Sequence, residues 1–503
     1  MTRFEKEILN PFKQMAGTFG TRNAFCINEK YFSYTELVRI VSKIRCTLEP
    51  ENIIGKNIGL IANNDIETYA SILAIWLEGG AYVPIYPKQA TEVVQEILLH
   101  TDANLVLDSE GLLVLNSVKT IDSRKSKFRY EHIVPKAVSD DSLAYIMFTS
   151  GSTGIPKGVT ISRGNLASYV AAFWDPGYLV DENDRFLQLS DLAFDGSVMC
   201  FTIPLIRGAC VYTVENVFNR YALIADMLEK YRLTVAFMVP SVIRYFKPYF
   251  HEMHLPFFRY LQIGGEAMHL DLLKEWSYCL PNAIIDVVYG TTENTIICSY
   301  YRFQRNGNNK TYNGVLSIGK HMSSGEMLIF DENNGIVSDY IHGELCLSGS
   351  QLSPGYWKNP DYNRESFFVV QNNQRFYRTG DICFRDSEGD FMFCGRKDSQ
   401  IKIQGIRIEL DEIAHHAKVF LKNQNAVAVS IENGTGNNEI LLFIEGKLKD
   451  QQSLTGYLRS KMPLYMIPGR IIEFPEFPLN VNGKIDRQEL KRFLKEDIPD
   501  LRK

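Results

Sequence analysis

The sequence predicts an α/β protein: a large layered N-terminal domain of α/β subdomains with a small β-rich subdomain, then a small α+β C-terminal domain. Three observations carry this. From Ile58 to about Val239, short β-branched runs alternate with amphipathic segments, as in Ile58-Gly-Leu-Ile-Ala62 followed by the helix-like Ile66 to Glu78. That alternation is typical of layered α/β proteins. Shorter strand-like segments follow, among them Glu326-Met-Leu-Ile-Phe330 and Gly343-Glu-Leu-Cys-Leu347. Beyond Gly395 a compact mixture of strand and helix patterns runs to Lys503, and the turn Gly395-Arg-Lys-Asp398 divides a domain over 1–395 from one over 396–503.

With 45% apolar and 22% charged residues, the 503-residue chain can bury a large core. Its 54 basic and 59 acidic side chains leave a net charge of −5, and the basic residues form no stripe, which speaks against a nucleic-acid partner. Arg124, Lys125 and Lys127 read as a solvated loop. The nine cysteines are scattered without Cys-x-x-Cys spacing, the pattern of buried free thiols in a reducing compartment. No apolar signal-peptide core follows Met1, and the longest apolar stretch, Tyr69 to Leu77, is too short to cross a bilayer. The expectation is a soluble cytoplasmic protein with no membrane partner.

The most informative run is Tyr145-Ile-Met-Phe-Thr-Ser-Gly-Ser-Thr-Gly-Ile-Pro-Lys-Gly-Val159. Ile146 to Phe148 read as a buried strand end. Gly151, Gly154 and Gly158 then let backbone N–H groups converge on an anion. Thr149, Ser150, Ser152 and Thr153 add hydroxyls and Lys157 a point charge. The Walker spacing is absent, so this is a different phosphate loop.

The run resembles the phosphate loop of the adenylate-forming superfamily, which includes amino-acid adenylation domains, acyl-CoA synthetases and luciferases. Further family motifs follow in order over nearly the whole chain. Val287-Val-Tyr-Gly-Thr-Thr-Glu293 resembles the Tyr-Gly-x-Thr-Glu motif, which implies Tyr289 along the adenine, Thr292 on phosphate and Glu293 helping to hold Mg²⁺. Taken alone, Thr-Thr-Glu would be a helix cap. Most amino-acid-activating members carry Pro where this chain has Thr291. Tyr377-Arg-Thr-Gly-Asp381 matches the motif whose aspartate accepts from both ribose hydroxyls, and Arg396 is implied as a second ribose contact; in isolation Thr-Gly-Asp is a common turn. Pro478-Leu-Asn-Val-Asn-Gly-Lys-Ile-Asp-Arg487 matches the motif of the catalytic lysine, here Lys484. Asp398 falls on the family hinge, which implies a mobile C-terminal domain. Gln400-Ile-Lys-Ile-Gln-Gly-Ile-Arg-Ile-Glu-Leu-Asp411 reads as a strand with a glycine-marked bulge or close approach at Gly405, which by resemblance flanks the pantetheine arm of a thiol acceptor.

Leu192-Ala-Phe-Asp-Gly-Ser-Val-Met199 resembles the motif that sets an aspartate against a substrate α-ammonium, which makes Asp195 the residue that separates amino acids from other acids. A plain helix cap is the alternative. The implied substrate pocket is Asp195, Gly196, Met199, Phe237, Leu261, Ile263, Val288, Ile296, Ile297 and Lys484. Its apolar walls predict a small or branched aliphatic amino acid. The resemblance is nearest to stand-alone adenylation enzymes of nonribosomal peptide synthetase or D-alanine:carrier-protein ligase type. It implies ATP and Mg²⁺, an AMP-forming ligase, and transfer of the aminoacyl group to the phosphopantetheine of a carrier protein acting in trans. An acyl- or aryl-CoA ligase, including one for an amine-bearing aryl acid, is the alternative.

Overall fold

The computed structural model describes every residue except 88, 112, 114, 116–117, 132, 150–156, 215–219, 371–372, 399, 423, 433–437, 449, 479–484 and 498–503. By its contacts the chain groups into two units. One comprises residues 1–87, 94–147 and 158–397, the other 88–93, 148–157 and 398–503.

The first unit is built on two largely parallel sheets. In one, strands Ala81–Ile85, Asn57–Ile61 and Leu105–Asp108 lie side by side. In the other, Asn23–Ile27, Cys210–Thr213, Arg185–Gln188, Val235–Met238, Tyr260–Ile263 and Ile284–Tyr289 run parallel, and Ser299–Arg302 and then the edge strand Lys320–His321 continue it antiparallel. Helix Ile66–Leu77 shows why these are layers. Asp65 caps it by accepting from Thr68 N at 2.8 Å. Apart from Glu67 each of its residues is buried, as a helix enclosed on all sides requires. Trp76 packs on Phe4, Tyr82 and Phe201, and its indole N–H donates to Ala144 O at 3.0 Å. A third, antiparallel sheet joins Gly325–Phe330, Gly343–Gly349, Phe367–Val369, Arg375–Arg385 and Phe391–Arg396.

Strand alternation gives the larger parallel sheet two distinct faces. Leu261, Ile263, Ile285 and Val287 join one apolar core with Trp276 and Met238. Tyr260 and Val288 belong to another, with Met199, Ile296 and Ile297.

In the second unit, strands Ala426–Glu432, Asn438–Glu445 and Arg470–Phe474 form a sheet associated with helices Leu410–Phe420, Gln451–Lys461 and Arg487–Asp497. The architecture is the mixed α/β one predicted. One element differs: Gln400–Ile403 and Ile406–Glu409 pair as a hairpin, with Ile403 opposite Ile406. Gln404 and Gly405 have φ of 52° and 78°, so Gly405 sits in a two-residue turn with both central residues left-handed, not in a strand bulge. All nine cysteines are free, eight of them buried. Among the described residues no helix is long and apolar enough to cross a membrane.

Candidate active site

Asp381 lies inside strand Arg375–Arg385, so Thr-Gly-Asp is not the turn it suggests in isolation. Its partner across the ladder is Arg396. Arg396 Nη1 donates to Asp381 Oδ1 at 2.7 Å, and the Tyr289 hydroxyl donates to Oδ2 at 2.5 Å. The carboxylate is buried, and each oxygen keeps lone-pair capacity for a further donor, the arrangement a vicinal diol needs. Burial, and then the charge of Asp381, push the Tyr289 phenol well above its usual pKa, so it stays a donor.

The segment after Tyr289 is held in an unusual path. A Cβ on Gly290 would lie 2.0 Å from Ile296 O, so only glycine permits this approach. Thr295 and Ile296 have φ of 50° and 73°, a left-handed conformation that strains β-branched residues by about 1–3 kcal/mol each. Gln351 sustains it: its Nε2 donates to Asn294 O, Thr295 O and Ile297 O at 2.9–3.2 Å, and its backbone carbonyl accepts from Thr295 Oγ1 at 2.6 Å. The path brings Ile296 and Ile297 into one core with Val288 and Met199.

Thr292 opens a short 3₁₀ turn, Thr292–Asn294, and Thr291 before it makes no side-chain capping bond. The Thr291 hydroxyl is buried without a partner among the described residues. Glu293 is 1% exposed, and its Oε1 accepts from the Tyr356 hydroxyl at 2.8 Å. No cluster of three metal-ligating side chains occurs among the described residues. A single fixed carboxylate nevertheless fits Mg²⁺, which takes one or two carboxylates and completes its shell with phosphate oxygens and water. Neither Gln351 nor Tyr356 was singled out from the sequence.

Asp195 stands at the head of helix Gly196–Leu205, half-buried, and its side chain makes no capping bond. Its charge reaches three fully buried phenols, Tyr82, Tyr145 and Tyr169, whose pKa values rise first by burial and then by Asp195 or a neighbouring thiol. Their oxygens have no hydrogen-bond partner among the described residues. A Cβ on Gly196 would meet Phe237 at 3.5 Å, and one on Gly264 would meet Phe237 at 3.3 Å and Val288 Cγ2 at 2.8 Å. The Phe237 ring therefore fills the interval between the two glycines.

The register corrects two lining residues. Phe237 pairs with Gln262, while Ala236 and Met238 pair with Leu261 and Ile263. Paired residues of parallel strands point the same way, so Leu261 and Ile263 turn to the other face of the sheet, into an apolar core that Phe237 meets only at its margin. The face of Phe237 and Val288 carries Gln262 and Gly264 instead. A one-residue offset in a segment between motifs suffices to exchange the faces.

Comparison with known proteins decides the family. Residues 12–357 match the AMP-binding enzyme family. The chain belongs to that family. It is a member of the adenylate-forming superfamily. This AMP-binding enzyme is 29% identical over 497 residues to bacitracin synthase 1 of Bacillus licheniformis, aligning 97% of the chain with 9% of that protein. It is 28% identical over 501 residues to tyrocidine synthase 1 of Brevibacillus parabrevis, aligning 96% of the chain with 45% of that protein. The chain thus spans under half the length of these relatives. In fold it is similar to the Vibrio cholerae adenylation domain AlmE in complex with glycyl-adenosine-5'-phosphate, with a TM-score of 0.86, 24% identity and 98% of each chain covered. It is also similar to o-succinylbenzoate CoA synthetase of Bacillus subtilis, with a TM-score of 0.83, 20% identity and coverage of 96% and 98%.

Of the remaining expected residues of this AMP-binding enzyme, Thr149 ends strand Leu143–Thr149. Lys157 opens strand Lys157–Ser162, its ammonium 4.0 Å from Glu409 in the same unit. Asp398 accepts from Gln400 N at 3.1 Å. Ser150, Gly151, Ser152, Thr153, Gly154 and Lys484 lie outside the described residues.

Proposed function

We propose that this chain activates an amino acid with ATP, forming aminoacyl-AMP and pyrophosphate, and passes the aminoacyl group to the phosphopantetheine thiol of a carrier protein. The observation that carries the reading is Asp195, a half-buried carboxylate at the head of an apolar helix, next to the glycine that faces Phe237. A carboxylate in such surroundings is stabilised by a cation, and a substrate ammonium is one. Phe237, wedged between Gly196 and Gly264, favours a short side chain.

In the first step a substrate carboxylate oxygen attacks the α-phosphorus, the bond to the β-phosphate oxygen breaks, and pyrophosphate leaves. Asp381, oriented by Arg396 and Tyr289, takes the ribose hydroxyls; Thr292 contacts phosphate; the loop from Thr149 to Lys157 takes the β- and γ-phosphates. Mg²⁺, held with the help of Glu293, supplies charge neutralisation when bound. Lys484 bridges the substrate carboxylate and the α-phosphate. In the second step the thiol sulfur attacks the acyl carbon and AMP leaves, with Asp398 as the hinge and Gly405 beside the pantetheine arm.

The test is substrate-dependent ATP–pyrophosphate exchange across L- and D-amino acids, aryl acids and fatty acids. Exchange with an amino acid that is lost in Asp195→Ala supports the reading, and Lys484→Ala is expected to abolish adenylation while sparing ATP binding. Thr291, where most amino-acid-activating members carry Pro, favours the second reading of an acyl- or aryl-CoA ligase. Exchange only with acids lacking an α-amine would establish that one instead.

A further inference from the structure

From Arg302, whose side chain is 35% exposed, a polar chain runs inward along the sheet face of Phe237 and ends on Gln262. Arg302 donates to Asp286 from Nε at 2.5 Å and from Nη2 at 3.1 Å, and Nη2 also reaches Pro176 O at 2.8 Å. Asp286 is fully buried and accepts from the Tyr178 hydroxyl at 2.6 Å. Gln262 Nε2 donates to the Tyr178 oxygen at 3.3 Å.

The direction of this chain is forced. A guanidinium only donates and a carboxylate only accepts, so the Tyr178 proton is committed to Asp286. Burial, and then Asp286, hold that phenol far above its usual pKa, so the proton stays. The Tyr178 oxygen can therefore only accept, and Gln262 must turn its NH₂ toward it. This settles the orientation of the amide, which its shape alone would leave ambiguous. The carbonyl Oε1 points the other way. It accepts from no described residue, and it is not among the fully enclosed side-chain atoms without a partner.

Gln262 stands opposite Phe237 in the ladder and opposite Asp286 on its other side. It lies two residues, about 7 Å of strand, before Gly264, whose missing Cβ faces Phe237 and Val288. Gln262 thus stands on the same sheet face as Phe237, Gly264 and Val288, the face that Gly196, next to Asp195, meets through the Phe237 ring. We propose that the side chain of the activated amino acid carries a hydrogen-bond donor, a hydroxyl or an amide, and that Gln262 Oε1 receives it. This rests on the amino-acid reading of the site. It replaces an aliphatic substrate with a short, uncharged, polar one, because an aliphatic side chain would leave the carbonyl desolvated and unpaired.

The experiment is exchange kinetics on near-isosteric pairs: threonine against valine, serine against 2-aminobutyrate, asparagine against leucine. For the pair that fits, kcat/KM is expected to favour the donor-bearing member by about 10-fold or more, as sites built around a substrate hydroxyl do. Gln262→Leu is expected to bring that ratio to about 1 or invert it, and the wild-type ratios decide alone if that variant does not fold. A wild-type preference for the members without a donor, or a ratio unmoved in folded Gln262→Leu, overturns the assignment while leaving amino-acid activation standing. Exchange confined to acids without an α-amine overturns the parent reading and this assignment with it.

Discussion

The two faces of strand Tyr260–Ile263 are made by neighbouring residues and do different work. Leu261 and Ile263 disappear into a core with Ile285, Val287 and Trp276. Gln262, one position along, ends a chain of four polar groups reaching Arg302. Apolar packing has no direction, so that face stabilises without choosing anything. The polar face has a direction forced by its donors and acceptors, and it turns an ion pair buried at its carboxylate end into an oriented carbonyl.

The largest expected effect is on the polar face. Arg302→Met leaves the buried Asp286 without a cation and is expected to cost about 3–5 kcal/mol in denaturant unfolding. A loss below about 1 kcal/mol would show that this chain is not under the electrostatic constraint described. Leu261→Ala, on the apolar face, is expected to cost about 2–5 kcal/mol yet leave the threonine-to-valine ratio unchanged. A shifted ratio would erase the distinction between the faces. Tyr178→Phe is expected to cost about 1–3 kcal/mol and to lower the same ratio, because the Gln262 amide is then free to turn over.

The smallest effect is at the sheet's edge. Burial lowers the pKa of His321, whose Nε2 has no partner among the described residues while Nδ1 meets Met322 O. Because its folded pKa lies below the unfolded value of about 6.5, its contribution is fully present above pH 6.5 and is lost as pH falls toward the folded pKa. His321→Gln is expected to flatten the acid side of the melting-temperature profile below about pH 6.5, by at most about one proton. An unchanged slope would mean that the histidine is protonated at no cost.

Much of the molecule is legible in its residues because the information is local. The period of apolar runs between Ile58 and Val239 expresses burial on both sides of parallel strands, and yields the layered fold directly. Short strings such as Thr379-Gly-Asp381 and Phe194-Asp195-Gly196 place their groups because a few bonds separate the chemical residue from its anchor. The family itself follows from the order of such strings. What tertiary structure decided depends on partners far away in the chain. Gln351 holds the Thr295–Ile297 path across 54 to 57 positions, and Tyr178 reaches Asp286 across 108. The choice between Leu261 and Gln262 as the residue facing Phe237 is of the same kind. A strand's pattern has a period of two, so its own sequence leaves two registers open, and only pairing with Val235–Met238 and Ile284–Tyr289 selects one.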